Sequence, residues 1–295
     1  MSQTEQRAEI RLRSPARAAA VGAIGRGRMV SAGAVVRGWQ WAARASLSNH
    51  RPYLPLARRR HGLEVATDET ELVIDGFPRS GNTFAVVAFQ LVQPEPVRLS
   101  HHIHSSAHMI AAAKRGTPIV VTVREPEDAV LSCVIREPYV TIAQALRFYI
   151  AFYRRLSRRR ERMVVAPFEE VVTDFGGVVA RANALFGTSF AAFEHTPASV
   201  AECFGIIDDR ARRPPWDAAI GAFLSGTDTV ESVRAAARSH AALGGPPLPI
   251  PENRVARPSL EREARKAALR AAYNAGRLSD LRASARHVYD RFTAS

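Results

Sequence analysis

Leu72-Val73-Ile74-Asp75-Gly76-Phe77-Pro78-Arg79-Ser80-Gly81-Asn82-Thr83 is the stretch that decides the fold. Leu72 to Asp75 reads as a strand, a short aliphatic run bounded by a glycine. Asn82 to Gln93 reads as a helix with apolar residues on most faces, and so a buried one, broken by Pro94 and Pro96. Gly76 to Thr83 is therefore a loop set where a strand ends and a helix begins. At such a junction backbone N–H groups and the helix dipole converge on an anion. A plain turn capped by Ser80 and Thr83 would need less. This loop carries one fixed cation, Arg79, and three hydrogen-bonding side chains, Ser80, Asn82 and Thr83.

Downstream, short β-branched runs alternate with longer helical stretches, as in parallel βαβ units. Pro118 to Val123 (PIVVTV) is a continuous apolar run of strand length, the pattern of a strand covered on both faces. Thr141 to Arg160 has helical periodicity, Met163 to Ala166 reads as another strand, and Ala180 to Phe186 as a helix closed by Gly187. Residues 196 to 258 hold Pro214, Pro215, Pro246, Pro247, Pro249 and Pro251 and read as loops and short helices, a setting for acceptor binding. Leu260 to Tyr273 and Leu278 to Phe292 read as amphipathic helices separated near Gly276. The expected fold is α/β: a three-layer α/β/α domain with a central parallel sheet, P-loop NTPase-like, spanning 71–295.

Residues 1–70 read as a basic N-terminal extension, partly helical or disordered, with Arg58, Arg59, Arg60, Pro52 and Pro55 marking a linker. Arginines at 7, 11, 13 and 17 leave no apolar core for a signal peptide, and Arg26, Arg28, Arg37 and Arg44 break the tract Ala18 to Leu47 below the length of a membrane span. A soluble, cytoplasmic protein is expected. The stretch with Val35, Val36, Trp39 and Trp41 offers an amphipathic helix for peripheral contact with an anionic membrane; packing or disorder are the other readings. The net charge of +13 over 295 residues would suit nucleic acid, but lysine occurs only at 114 and 266, so an arginine-rich vocabulary explains it and no nucleic-acid partner is expected. Cys133 and Cys203 alone exclude a disulfide framework and a four-cysteine zinc site.

The loop spacing, glycine, four residues, glycine, one residue, then Thr83, matches the nucleotide-binding P-loop except that Asn82 stands where lysine belongs. An ATP or GTP enzyme would also want a carboxylate after a second strand to manage magnesium. The run ending at Val123 delivers Arg124 instead. A metal-free anion site fits better than a nucleoside triphosphatase.

The PRSGNTF segment resembles the 5'-phosphosulfate-binding loop of sulfotransferases that use 3'-phosphoadenosine 5'-phosphosulfate (PAPS), particularly bacterial members. The resemblance covers Glu71 to Phe190. It implies that Pro78, Arg79, Ser80, Gly81, Asn82 and Thr83 form the donor loop, with Arg79 contacting the leaving-group oxygen. Val123 to Ser132 resembles the family's 3'-phosphate motif, with Arg124 and Ser132 at its spacing. Arg257 and Ser259 are candidates to complete that pocket, although the family's late glycine-rich basic pattern is absent and a helix cap explains Ser259 as well.

Four of nine histidines fall at 101, 102, 104 and 108. The resemblance implies a general base in this interval, His102 first, then His104 and His101, removing the acceptor's proton. His104 and His108 share the i, i+4 spacing of zinc sites, but no third ligand is evident. The expected activity is metal-free, in-line transfer of the sulfuryl group of PAPS, the co-substrate, to a hydroxyl or amine of a small-molecule, carbohydrate or lipid acceptor. The alternative is a P-loop nucleotide kinase or NTPase with a degenerate Walker loop.

Overall fold

The structure, a computed structural model, describes residues 32–61, 65–243, 248–251, 254–257 and 259–294. Arg7, Arg11, Arg13, Arg17, Arg26, Arg28, Pro246, Pro247 and Pro258 lie outside the described residues. The chain divides into two units, Met1–Arg37 and Gly38–Ser295. Of the first, the described part is the opening of helix α1 (Ala32–Leu47).

The second unit is built on four parallel strands, β1 (Leu72–Gly76), β2 (Leu99–His101), β3 (Ile119–Val123) and β4 (Val164–Pro167), in the order β2-β1-β3-β4. β1 pairs with β2 from Leu72 against Leu99 and with β3 from Val73 against Ile119; β3 pairs with β4 from Val120 against Val164. Every residue of β1 and β3 is buried, as continuous apolar runs predict for inner strands.

Successive side chains of a strand point to opposite faces, and this parity builds the layers. Val73, Ile119, Val121 and Val123 belong to one apolar cluster with α4 (Ser106–Lys114), α5 (Pro126–Arg136), α6 (Ile142–Leu156) and the C-terminal helix. Leu72, Ile74, Val120, Val164 and Ala166 belong to the other, with α3 (Asn82–Val92), α7 (Phe168–Thr173), α8 (Phe175–Phe186), α9 (Pro197–Arg212), α10 (Asp217–Ser225) and α11 (Val230–Ala242). The fold is thus a three-layer α/β/α structure with a central parallel sheet, as the alternating pattern predicts. α12 (Leu260–Tyr273) packs on α5, and α13 (Ser279–Thr293) on α6.

Upstream of the sheet, Trp41 and Ala45 of α1 join the first cluster, Trp41 meeting the Phe148 ring edge-on at 5.5 Å. α2 (Tyr53–His61) buries Tyr53 and Ala57 against Val65 and Ile103. Pro55 is tolerated there because first-turn amides have no intrahelical partner.

Residues 196–258 differ from the expected loops and short helices. α9 runs for 16 residues and α11 for 13. Pro197 sits at the first turn of α9 beside a Thr196/Ser199 capping box, and Pro214 and Pro215 follow its end. The prolines punctuate helices rather than prevent them. Among the described residues, no helix is long and apolar enough to cross a membrane.

Candidate active site

β2 lies on one side of β1 and β3 on the other, so connections leaving their carboxyl ends diverge. In doubly wound sheets ligands bind in the crevice at such a switch point. Three segments far apart in sequence open onto this edge: the loop after β1, the histidine run after β2, and Arg124 after β3.

The loop is held from below. Gly76 is needed where β1 meets β3, since a Cβ there would collide with the Thr122 carbonyl oxygen and hydroxyl. The Phe77 N–H donates to Tyr153 Oη at 3.1 Å, and Tyr153 Oη donates to Thr122 O at 2.8 Å. Asn82 Nδ2 donates to Phe77 O at 3.0 Å, and Thr122 Oγ1 donates to Asn82 Oδ1 at 2.5 Å. Ser80 Oγ lies 3.4 Å from Tyr153 Oη. Ser80 and Asn82 are buried and spend their side chains on scaffold atoms. What the loop offers outward is backbone. Gly81, with φ 93°, is the N-cap of α3 and no side chain caps that end, so its first-turn amides are open to an anion. Arg79, with φ 71°, takes a left-handed backbone that costs a non-glycine residue about 1 kcal/mol, a strain typical of functional loops.

On the β2 flank, His102 Nε2 lies 3.0 Å from Thr83 Oγ1 and His102 Nδ1 lies 2.8 Å from His101 Nδ1, so both its ring nitrogens are engaged. His104 is oriented by a carboxylate. Its backbone N–H donates to Asp75 Oδ2 at 2.7 Å, and its Nδ1 lies 3.2 Å from Asp75 Oδ1 and 2.8 Å from Gly76 O. Nε2 is the nitrogen left to exchange a proton, on a side chain 27% exposed. Burial opposes ionisation of Asp75, but the charge and hydrogen bonds of His104 outweigh it and hold the carboxyl below its ordinary value. Burial likewise opposes protonation of His104, and Asp75 outweighs it, so that the imidazole pKa is raised. His102 and His104 both have positive φ, 56° and 52°. His108 does another job: its Nε2 accepts the Ala66 N–H at 3.0 Å and lies 3.1 Å from Ser100 Oγ, deep in the fold.

On the β3 flank, Tyr149 Oη donates to Arg124 O at 2.7 Å, and the Arg124 guanidinium stacks 3.9 Å over the Phe168 ring and reaches Asp128 at 3.1 Å. Its buried Nε has no hydrogen-bond partner among the described residues. Ser132, fully buried on α5, accepts from Arg79 Nε at 3.2 Å and from Arg262 Nη2. Burial first, then crowding by Arg262, Arg136 and Arg124, lowers the Arg79 pKa to about 9. Burial, Arg124 and Arg136 lower Arg262 as well. Asp128 is shared between Arg124 and Lys266 (2.9 Å), and Lys266 also pairs with Glu263 at 2.9 Å. The Arg79 and Arg262 guanidinium groups thus meet on Ser132 with Arg124 nearby, an arrangement that a bound anion stabilises.

Of the residues singled out from sequence, the structure places the loop, Arg124, Ser132, His101, His102 and His104 along one edge. Arg79 is not aimed along the loop: its guanidinium points to Ser132. Arg257 pairs with Asp208 at 3.0 Å and lies 4.8 Å over Phe204, and Ser259 caps α12 by accepting the Arg262 N–H. The late arginine at Ser132 is Arg262, one turn further on. A cation in a helix's first turn opposes the dipole, and that oddity was its only sequence signal. Asp75 was also missed; an acid ending an otherwise aliphatic run was the available clue.

No family model matches the chain, and no curated protein matches it. Among solved structures it is similar to mouse sulfotransferase SULT7A1 complexed with PAP, at 10% identity and a TM-score of 0.39, over 80% of this chain and 94% of that chain.

Proposed function

We propose that the protein is a sulfotransferase that takes the sulfuryl group of PAPS to a hydroxyl or amine acceptor. The observation that carries this is the pairing, on one sheet edge, of two different anion-receptive features: the uncapped N-terminus of α3 and the guanidinium cluster on Ser132. A donor with phosphates at both ends of its ribose needs both. In this reading the first-turn amides of α3 hold the 5'-phosphosulfate, and Arg79, Arg124, Arg262 and Ser132 hold the 3'-phosphate. Arg79 thereby serves the opposite end of the donor from the leaving-group oxygen suggested by the resemblance.

His104, rather than His102, is the proposed general base, because it has the carboxylate partner and the uncommitted nitrogen. Its Nε2 takes the acceptor's proton as the acceptor oxygen or nitrogen bonds to sulfur. The bond from sulfur to the bridging phosphate oxygen breaks, leaving adenosine 3',5'-bisphosphate. The helix dipole and amides of α3 stabilise the charge that develops on that product. His102 and Thr83 fix the loop against the histidine run. The buried free thiols Cys133 and Cys203 fit a reducing compartment, the cytoplasm.

Incubation with radiolabelled PAPS and a cell extract tests the reading. Label is expected in an acceptor with the native protein and not with His104→Gln. No labelled product would refute the activity. Labelled product from His104→Gln but not from His102→Gln would refute the choice of base.

A further inference from the structure

Positive charge is not spread evenly along the chain. Between Glu9 and Glu64 there are eleven arginines and no acidic residue, so this segment supplies +11 of the net +13. This corrects the expectation that an arginine-rich vocabulary explains the charge: vocabulary alone would distribute the excess, which elsewhere comes to only +2.

Within the compact unit the same region exposes apolar side chains. Trp41 and Ala45 face the core from α1, four residues apart. On the opposite side of the helix Trp39 is 71% exposed and, two turns on, Leu47 is 49% exposed, with exposed Ala43 between them at i+4 spacing. Leu56 of α2 is 51% exposed, among the exposed Arg51, Arg58 and Arg59. Among the described residues, α1 is therefore apolar on two opposite faces, of which one is packed.

We infer that the outer face of α1, with Leu56 and the arginines of α2, docks on an anionic lipid surface. A helix in the headgroup plane buries Trp and Leu below the phosphates and keeps Arg level with them, and these residue types are the ones exposed here. Charge complementarity argues for lipid over a second copy of this chain, since a symmetric contact would set Arg44, Arg51 and their neighbours against themselves. It argues for lipid over nucleic acid because a phosphodiester backbone gives Trp39, Leu47 and Leu56 nothing to bury against.

Flotation of the full chain with phosphatidylcholine vesicles, with and without phosphatidylserine, tests the inference. Binding is expected only when phosphatidylserine is present, with a shift of Trp39 fluorescence to shorter wavelength. It should weaken at least about tenfold as salt rises to where the Debye length is ~3 Å. Trp39→Ala with Leu47→Ala, both solvent-facing, should lower the partition roughly tenfold or more with unchanged circular dichroism. Arg51→Gln, Arg58→Gln and Arg59→Gln together should do the same. Equal binding to neutral vesicles, undiminished binding by the apolar double variant, or a dimer in solution with Trp39 shielded would overturn it. So would a DNA duplex that binds more tightly than the vesicles and equally well to the Trp39→Ala variant.

Discussion

Replacing Asp75 with Asn removes a charge beneath the proposed base and keeps the shape. In the native pair the carboxylate accepts the His104 N–H at 2.7 Å and lies 3.2 Å from His104 Nδ1. The imidazole pKa is raised above its ordinary 6.5 because Asp75 outweighs the effect of burial, and the Asp75 carboxyl is lowered because His104 does the same for it. The attraction is thus complete below the ordinary histidine range while Asp75 stays ionised. It is lost as pH rises through the raised histidine value, and also as pH falls through the depressed carboxyl value. A base must be neutral to act, so native turnover should rise with pH along a limb above 6.5. Asp75→Asn should move that limb to lower pH. A hydrogen bond to a charged partner contributes about 1.5–3 kcal/mol, so turnover at the plateau should fall roughly ten- to hundredfold. Affinity for adenosine 3',5'-bisphosphate should not change, because Asp75 belongs to the histidine flank. An NMR titration of the full chain between about pH 5 and pH 9, with the His104 signal assigned by difference from His104→Gln, reads the shift without any acceptor. If the His104 titration stays where it was, or if donor affinity falls along with turnover, Asp75 does not orient the base.

On the other flank, Arg262→Ala should weaken binding of adenosine 3',5'-bisphosphate by about ten- to a hundredfold and leave adenosine 5'-monophosphate nearly unaffected, as calorimetry would show, because a charge-assisted pair to one phosphate is lost. Tyr153→Phe should cost about 1–3 kcal/mol in urea unfolding, because the Phe77 N–H and the Thr122 carbonyl lose their shared buried partner. Gly76→Ala should cost more than about 2 kcal/mol, visible as a lowered Tm, because its methyl meets backbone across the β1–β3 pair.

The inner strands were legible because a strand covered on both faces writes itself as an unbroken apolar run; Ile119 to Val123 does so without ambiguity. β2 was not, since its three residues, Leu-Ser-His, carry neither alternation nor aliphatic content. Helices α9 and α11 were obscured by prolines whose positions at helix ends can be told only once the caps are known. In the candidate site, loop spacing marked the two strand-to-helix junctions, because backbone geometry is tied to local sequence. Asp75 and Arg262 escaped because their roles depend on tertiary contacts: Asp75 meets a histidine 29 positions away, and Arg262 meets a serine 130 positions away. Arg79 shows the same limit from the other side, since its position in the loop was plain and the direction of its guanidinium was not.

The central claim is that two anion-receptive features on one sheet edge hold opposite ends of one donor. Calorimetric titration of the native full chain with adenosine 3',5'-bisphosphate and with adenosine 5'-monophosphate tests it most directly. The two-phosphate ligand should bind at least about a hundredfold more tightly, without magnesium, because only it engages the cluster on Ser132 as well as the N-terminus of α3. Equal affinity for the two nucleotides, or tighter binding of magnesium-ATP than of either, would contradict the account.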